Sequence, residues 1–137
     1  MKYITQIHPH SFIPSKVGNF EGIQWLNDIP IAVLDSGVYG YLTFNYFLPD
    51  DLISYNIRYT IFWIPFIIGG NVTFNINSNA HANISTVVSN LTPLWNIRKT
   101  VLEVPLTVSS PFEFISANLN SSTHVIYIQN LLVEGVT

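Results

Sequence analysis

From Asn71 to Asn77 the chain alternates without a fault, with Val72, Phe74 and Ile76 on one parity and Asn71, Thr73, Asn75 and Asn77 on the other. Successive side chains of an extended strand point to opposite faces, so this period of two yields one dry face and one wet face. The same period returns elsewhere. In Val38–Leu48 one parity reads Val38, Gly40, Leu42, Phe44, Tyr46 and Leu48, and the other reads Tyr39, Tyr41, Thr43, Asn45 and Phe47. Tyr55, Ile57, Tyr59, Ile61 and Trp63 share a face opposite Asn56, Arg58 and Thr60. In Lys99–Thr107, Thr100, Leu102, Val104 and Leu106 form the apolar row. Phe112–Ser116 predicts a short strand. Thr123–Gly135 predicts a long one, apolar on both parities at its centre and therefore internal to a sheet. No stretch sustains the helical period over three turns. Many short alternating strands parted by turn residues predict an all-β fold, an antiparallel, jelly-roll-like sandwich. At 137 residues it is expected to form a single domain.

Pro65 ends ladder pairing and Gly69-Gly70 supplies a turn, so Tyr55–Pro65 and Asn71–Asn77 are expected to pair as a hairpin of two central strands. Two segments read as loops. His8–Pro30 carries Pro9, Pro14, Gly18, Gly22 and Pro30, with one helical turn at most from Phe20, Ile23 and Leu26. Ser78–Asn96 contains only a short strand at Ile84–Val88. The expected core comprises Leu42, Phe44, Tyr59, Ile61, Trp63, Val72, Phe74, Leu102 and Val104.

Charged residues make up 9% of the chain, far below the roughly 25% of an ordinary soluble domain. Solvation must therefore rest on Asn, Ser and Thr. A net charge of −3 without a basic cluster argues against nucleic acid. The apolar run Tyr59–Ile68 is about half of the roughly 20 residues a spanning helix needs, and Pro65 interrupts it, so no membrane span is expected. Cysteine is absent, which excludes disulfides and thiol chemistry. Met1–His10 lacks the apolar core of a signal peptide.

Reaction chemistry is sparse. His8 and His10 face one way in an extended segment, but two imidazoles need a third ligand from His81, His124 or a carboxylate, and no metal site or cofactor is expected. Asp50-Asp51 follows Pro49, where Asp commonly closes a turn, Asp28 and Asp35 flank Pro30, and the four lack the alternating oxygen ligands of a calcium loop. The nucleophile elbow, phosphate loop and zinc-protease motifs are all missing, so no catalytic residue is assigned and the chain is expected not to be an enzyme. Glycosylation sequons begin at Asn71, Asn83, Asn90 and Asn120, where chance would supply roughly two in so Asn-rich a chain, and they are weak evidence for glycosylation. Trp63 falls on a buried row. Trp25 and Trp95 fall in the loop-like segments and are the candidates for stacking on a sugar or partner.

The pieces "LTFNYFLPDDL" (Leu42–Leu52) and "IRYTIFWIPFIIGGNVTFNI" (Ile57–Ile76) set a strand, an acidic turn after Pro, a strand ending near Trp, a glycine turn and a strand opening in "NV". This order resembles small β-sandwich domains of phage particles and appendages, with "VIYIQNLLVEGV" as closing strand. In length and Ile/Asn/Tyr bias the whole chain is similar to small proteins of hyperthermophilic archaeal viruses, of the Pyrobaculum spherical virus type. The resemblance implies a non-catalytic structural or interaction module, located in the virion or host cytoplasm, homo-oligomeric and in contact with other virion proteins. The alternative is a carbohydrate- or receptor-binding β-sandwich using exposed aromatics, with a glycan as partner. With so little charge, second-parity apolar groups are expected to form an oligomer interface, trimeric or dimeric. Phe62, Ile64, Ile67 and Ile68 are its expected members.

Overall fold

The computed structural model describes residues 2–14, 23–26, 28–34, 41–48, 55–65, 69–89, 96–106, 114–121 and 125–136, with backbone alone at Lys2, Tyr3, Pro14 and Ile23–Leu26. Among these residues the strands are β1 (Lys2–Ile7), β2 (Ile13–Pro14), β3 (Ile23–Leu26), β4 (Ile29–Leu34), β5 (Leu42–Phe47), β6 (Asn56–Pro65), β7 (Asn71–Ser78), β8 (Ile84–Ser89), β9 (Arg98–Pro105), β10 (Phe114–Ser121) and β11 (Ile126–Val136). The only helical element described is a 3-10 turn at Pro9–Ser11.

Two antiparallel sheets form the sandwich. One runs β3-β4-β11-β6-β9, with β1 also on β11, and the other runs β2-β5-β10-β7-β8. β11 is the axis of the six-stranded sheet. One of its edges pairs along its whole length with β6, from Ile126 opposite Pro65 to Val136 opposite Asn56. The other edge is shared: Ile126–Ile128 takes β4, and Leu131–Gly135 takes β1. Its inward row, Ile126, Ile128, Leu131 and Val133, is buried, while Tyr127, Leu132 and Glu134 of the outer row are half-buried.

The inward rows of the two sheets meet in one core. Ile57, Tyr59, Ile61 and Trp63 of β6 face Phe44, Phe74, Ile115 and Leu119 of the opposite sheet, all essentially without solvent contact. The Trp63 and Phe74 rings meet edge to face at 5.1 Å, and the Trp63 indole N–H donates to Thr100 Oγ1 at 2.9 Å. All nine residues expected in the core are buried.

Three expectations are corrected. β6 and β7 do not form a hairpin. Each is central, but β6 pairs with β11 and β9 while β7 pairs with β10 and β8. Alternation tells which residues point inward but not which strand lies alongside, and here the two inward rows face each other across the core. Gly69 and Gly70 both take positive φ, at 125° and 66°, where a side chain would be strained. Second, His8–Pro30 is not a loop throughout, since it holds the 3-10 turn, β2, β3 and the start of β4. Third, Ile23 and Leu26 lie on β3 rather than a helical turn. β3 returns as β4 through a tight turn in which Asp28 adopts φ 66°, a conformation that short polar Asp tolerates. β1 and β4 had no clear period: β1 carries a bulge between Tyr3 and Thr5, and Ile31–Leu34 is buried on both faces.

Candidate functional site on the outer face of the five-stranded sheet

Not one residue of β2, β5, β7, β8 or β10 is Asp, Glu, Lys or Arg. With Leu42, Phe44, Tyr46, Val72, Phe74, Ile76, Ile115, Ala117 and Leu119 turned inward, the other parity forms an outer face of amides, hydroxyls and a few apolar groups. Strand register sets its rows. Ile13, Thr43, Asn118 and Asn77 lie side by side across four strands. Asn120, Asn75 and Ser85 make a second row, Asn45 and Ser116 a third, and Phe47 and Phe114 a fourth.

The amides are interlocked. Thr43 Oγ1 lies 2.7 Å from Asn118 Oδ1, and Asn118 Nδ2 donates to Asn77 Oδ1 at 3.2 Å. Asn75 Nδ2 donates to Asn120 Oδ1 at 2.9 Å, and Ser85 Oγ donates to Asn75 Oδ1. Cross-strand bonding of this kind holds each carboxamide in one rotamer, with hydrogen-bonding capacity left over for a ligand. At one end stand the two phenyl rings, edge to face at 5.6 Å. Phe47 is 68% exposed and Phe114 49%, an unusual use of a large aromatic on a monomer's surface. Ile13 and Val87, also exposed, are on this face.

Under this end a polar chain crosses the core. Tyr46 and Tyr59 hydroxyls lie 2.7 Å apart, and Tyr59 Oη is 2.6 Å from His81 Nε2. His81 Nδ1 lies 2.8 Å from the Ala82 carbonyl, which can only accept, so Nδ1 carries the imidazole proton. Nε2 then accepts from Tyr59, and Tyr59 accepts from Tyr46. Burial pushes the Tyr46 hydroxyl up to about 12 and Tyr59 higher still, and it holds His81 below the usual imidazole value. All three are neutral structural groups at physiological pH.

The residues singled out from the sequence fare differently. The backbone of Trp25 lies on β3, opposite Pro30, at the edge of the other sheet, and its side chain lies outside the described residues. Trp95, Ile67 and Ile68 also lie outside them, as do Asp35, Asp50, Asp51 and His124. Ile64 does not remain exposed for an oligomer: it is 2% accessible in the single chain, in a row with Val33 and Tyr127. Phe62 is half-buried. His8 and His10 are exposed while His81 is buried in the core, so these three do not converge; among the described residues no group of three His, Asp or Glu is placed to hold a metal. Phe47 and Phe114 carry no signal of their own in the sequence, although Phe47 shares the parity of Thr43 and Asn45.

No protein family and no curated protein matches the chain. Solved structures do. A family 35 carbohydrate-binding module from Clostridium thermocellum superposes with a TM-score of 0.70 at 13% identity, covering 96% of this chain and 98% of that one. The xylan-binding module CBM15 gives 0.66 at 6% identity, covering 98% and 97%. The GH115 4-O-methyl-α-glucuronidase BtGH115A gives 0.62 at 18% identity over all of this chain, which spans only 18% of that enzyme. At these identities the likeness establishes the antiparallel β-sandwich fold.

Proposed function

We propose that this chain is a non-catalytic carbohydrate-binding module whose ligand is an uncharged polysaccharide held on the outer face of the five-stranded sheet. The observation that carries the reading is the exposed Phe47–Phe114 pair beside a charge-free ladder of interlocked amides and hydroxyls. A sugar ring offers C–H groups on its faces and hydroxyls at its rim. Aromatic rings cover the first, and fixed carboxamides, which donate and accept, serve the second. Pre-ordered amides also reduce the ordering cost of binding. The full-length structural relatives are binding modules, one of them described as xylan-binding, which supports the same reading. They bring no support to a virion role, and the proposal needs none.

Electrophoresis through gels containing xylan, β-1,4-galactan or polygalacturonate tests it. Retardation by at least one neutral polymer, and its loss in a Phe47→Ala/Phe114→Ala variant with unchanged melting, is expected. Absence of retardation by any of them, or retardation that survives the double substitution, overturns it.

A further inference from the structure

β10 and β7 are both eight residues long, but they pair out of step. The pairing of β10 with β5 begins at Phe114, opposite Phe47, but its pairing with β7 begins only at Ala117, opposite Ser78. On the β7 side, the first three residues of β10 therefore run past the end of their neighbour. Backbone groups left without a partner there would let this end of the strand fray.

Asn79, the first residue after β7, fills the gap with its side chain. The Ser116 backbone N–H donates to Asn79 Oδ1 at 3.1 Å, and Asn79 Nδ2 donates to the Phe114 carbonyl at 3.3 Å. The peptide N–H can only donate and the carbonyl can only accept, so the amide has one possible orientation. A carboxamide carries the same donor and acceptor as a peptide unit, and Asn79 continues the ladder as a backbone would.

The residues around Asn79 are themselves held. Ser78 Oγ accepts from the Ala80 N–H at 3.0 Å and the His81 N–H at 3.2 Å, and Ser78 N–H reaches the His81 carbonyl at 3.4 Å. Ala80 is fully buried, and the His81 ring is bonded to Tyr59 within the core. The segment is thus anchored on both sides of an exposed asparagine.

We propose that Asn79 is the positioning residue of the binding face: it holds the overhanging start of β10 and so fixes the Phe114 ring beside Phe47. This role rests on the carbohydrate-binding reading above. Asn79 touches no ligand in it and acts through Phe114. A serine or alanine at 79 would leave the fold intact and the aromatic pair loose.

The test is a double-mutant cycle on binding of soluble xylan and β-1,4-galactan by the whole chain, with hydrogen exchange at the Ser116 amide as a second readout. Asn79→Ala is expected to weaken binding about tenfold in the unaltered background. In the Phe114→Ala background it should change binding by less than about twofold, because the group it acts through is gone. Ser116 exchange should accelerate in both backgrounds. An equal loss of binding in both backgrounds would reveal a general structural role and overturn the proposal, as would unaltered binding or unaltered Ser116 exchange. Failure of the unaltered protein to bind either glycan removes the binding face itself, and it is told apart by accelerated Ser116 exchange in Asn79→Ala, which shows the strand clamp still operating.

Discussion

On the outside of the six-stranded sheet stand Arg58, Lys99, Glu103 and Glu134; the equivalent positions of the five-stranded sheet carry Thr43, Asn75, Asn77, Asn118 and Asn120. Glu103 accepts from Asn56 at 3.1 Å and from Arg58 at 3.0 Å, and these two partners hold its carboxyl below the usual range. Charge keeps that face in water, since a charged group strongly resists losing its hydration. Amides give up water at far smaller cost when a polar partner replaces it. With charges excluded from all five described strands of one sheet, covering that sheet with a neutral surface costs little desolvation.

The sharpest way to break this contrast is to put a charge where there is none. Asn118→Asp keeps the shape of the central row but places a carboxylate beneath the ligand, and binding of the neutral glycan should fall about 100-fold by calorimetry. Glu103→Gln on the opposite face should leave it within about twofold. Similar losses from both would mean that the faces are not specialised.

Acid offers a second probe, through the five-stranded sheet's β7–β8 connection. Burial keeps the folded-state value of His81 below its ordinary 6.5, so the unfolded chain takes up the proton first. The stabilisation of the neutral ring is complete at higher pH and is lost as pH falls below about 6.5. The melting temperature should therefore be lower at pH 5 than at pH 7.5, and His81→Gln should flatten that dependence. A profile no flatter in the variant would show that another group carries it.

The smallest effect belongs to the charged face. The Arg58–Glu103 pair, at 3.0 Å and about one-third exposed on each side, should contribute no more than about 0.5 kcal/mol. Urea unfolding of Arg58→Gln measures it, and a loss above about 2 kcal/mol would make this face structural rather than merely solvating.

The residues themselves disclosed a good deal of this. Trp63, Phe74 and Leu102 were readable as core because one face of each strand is dry and the next residue is not. The pairing of β6 was not readable, because Tyr59 and Trp63 look the same whether β7 lies beside them or across from them. β4 escaped notice because Ile31–Leu34 is buried on both sides and erases the alternation that would have revealed it. The proposed binding face does not stand out in the sequence, for a related reason. Phe47 sits on a polar parity, and its meaning appears only when β10 brings Phe114 opposite, a match between residues far apart in the chain. Residue type and an expected loop position point instead to Trp25 and Trp95, but the backbone of Trp25 lies on β3 and Trp95 lies outside the described residues.

β1 lies antiparallel on β11, with Lys2 opposite Gly135, so both outer ends of this pair emerge at the same corner of the sheet. Tension applied between those ends would not shear the ladder as a whole. It would open β1 from β11 one rung at a time, as a zip opens, because each hydrogen bond lies across the strands and only the outermost is loaded. β6, bonded along the full length of the opposite edge of β11, would be untouched while this happened. Pulled at the outer ends of β1 and β11, the sandwich should give first at this rim, with a low rupture force, and the five-stranded sheet should be the last to feel it.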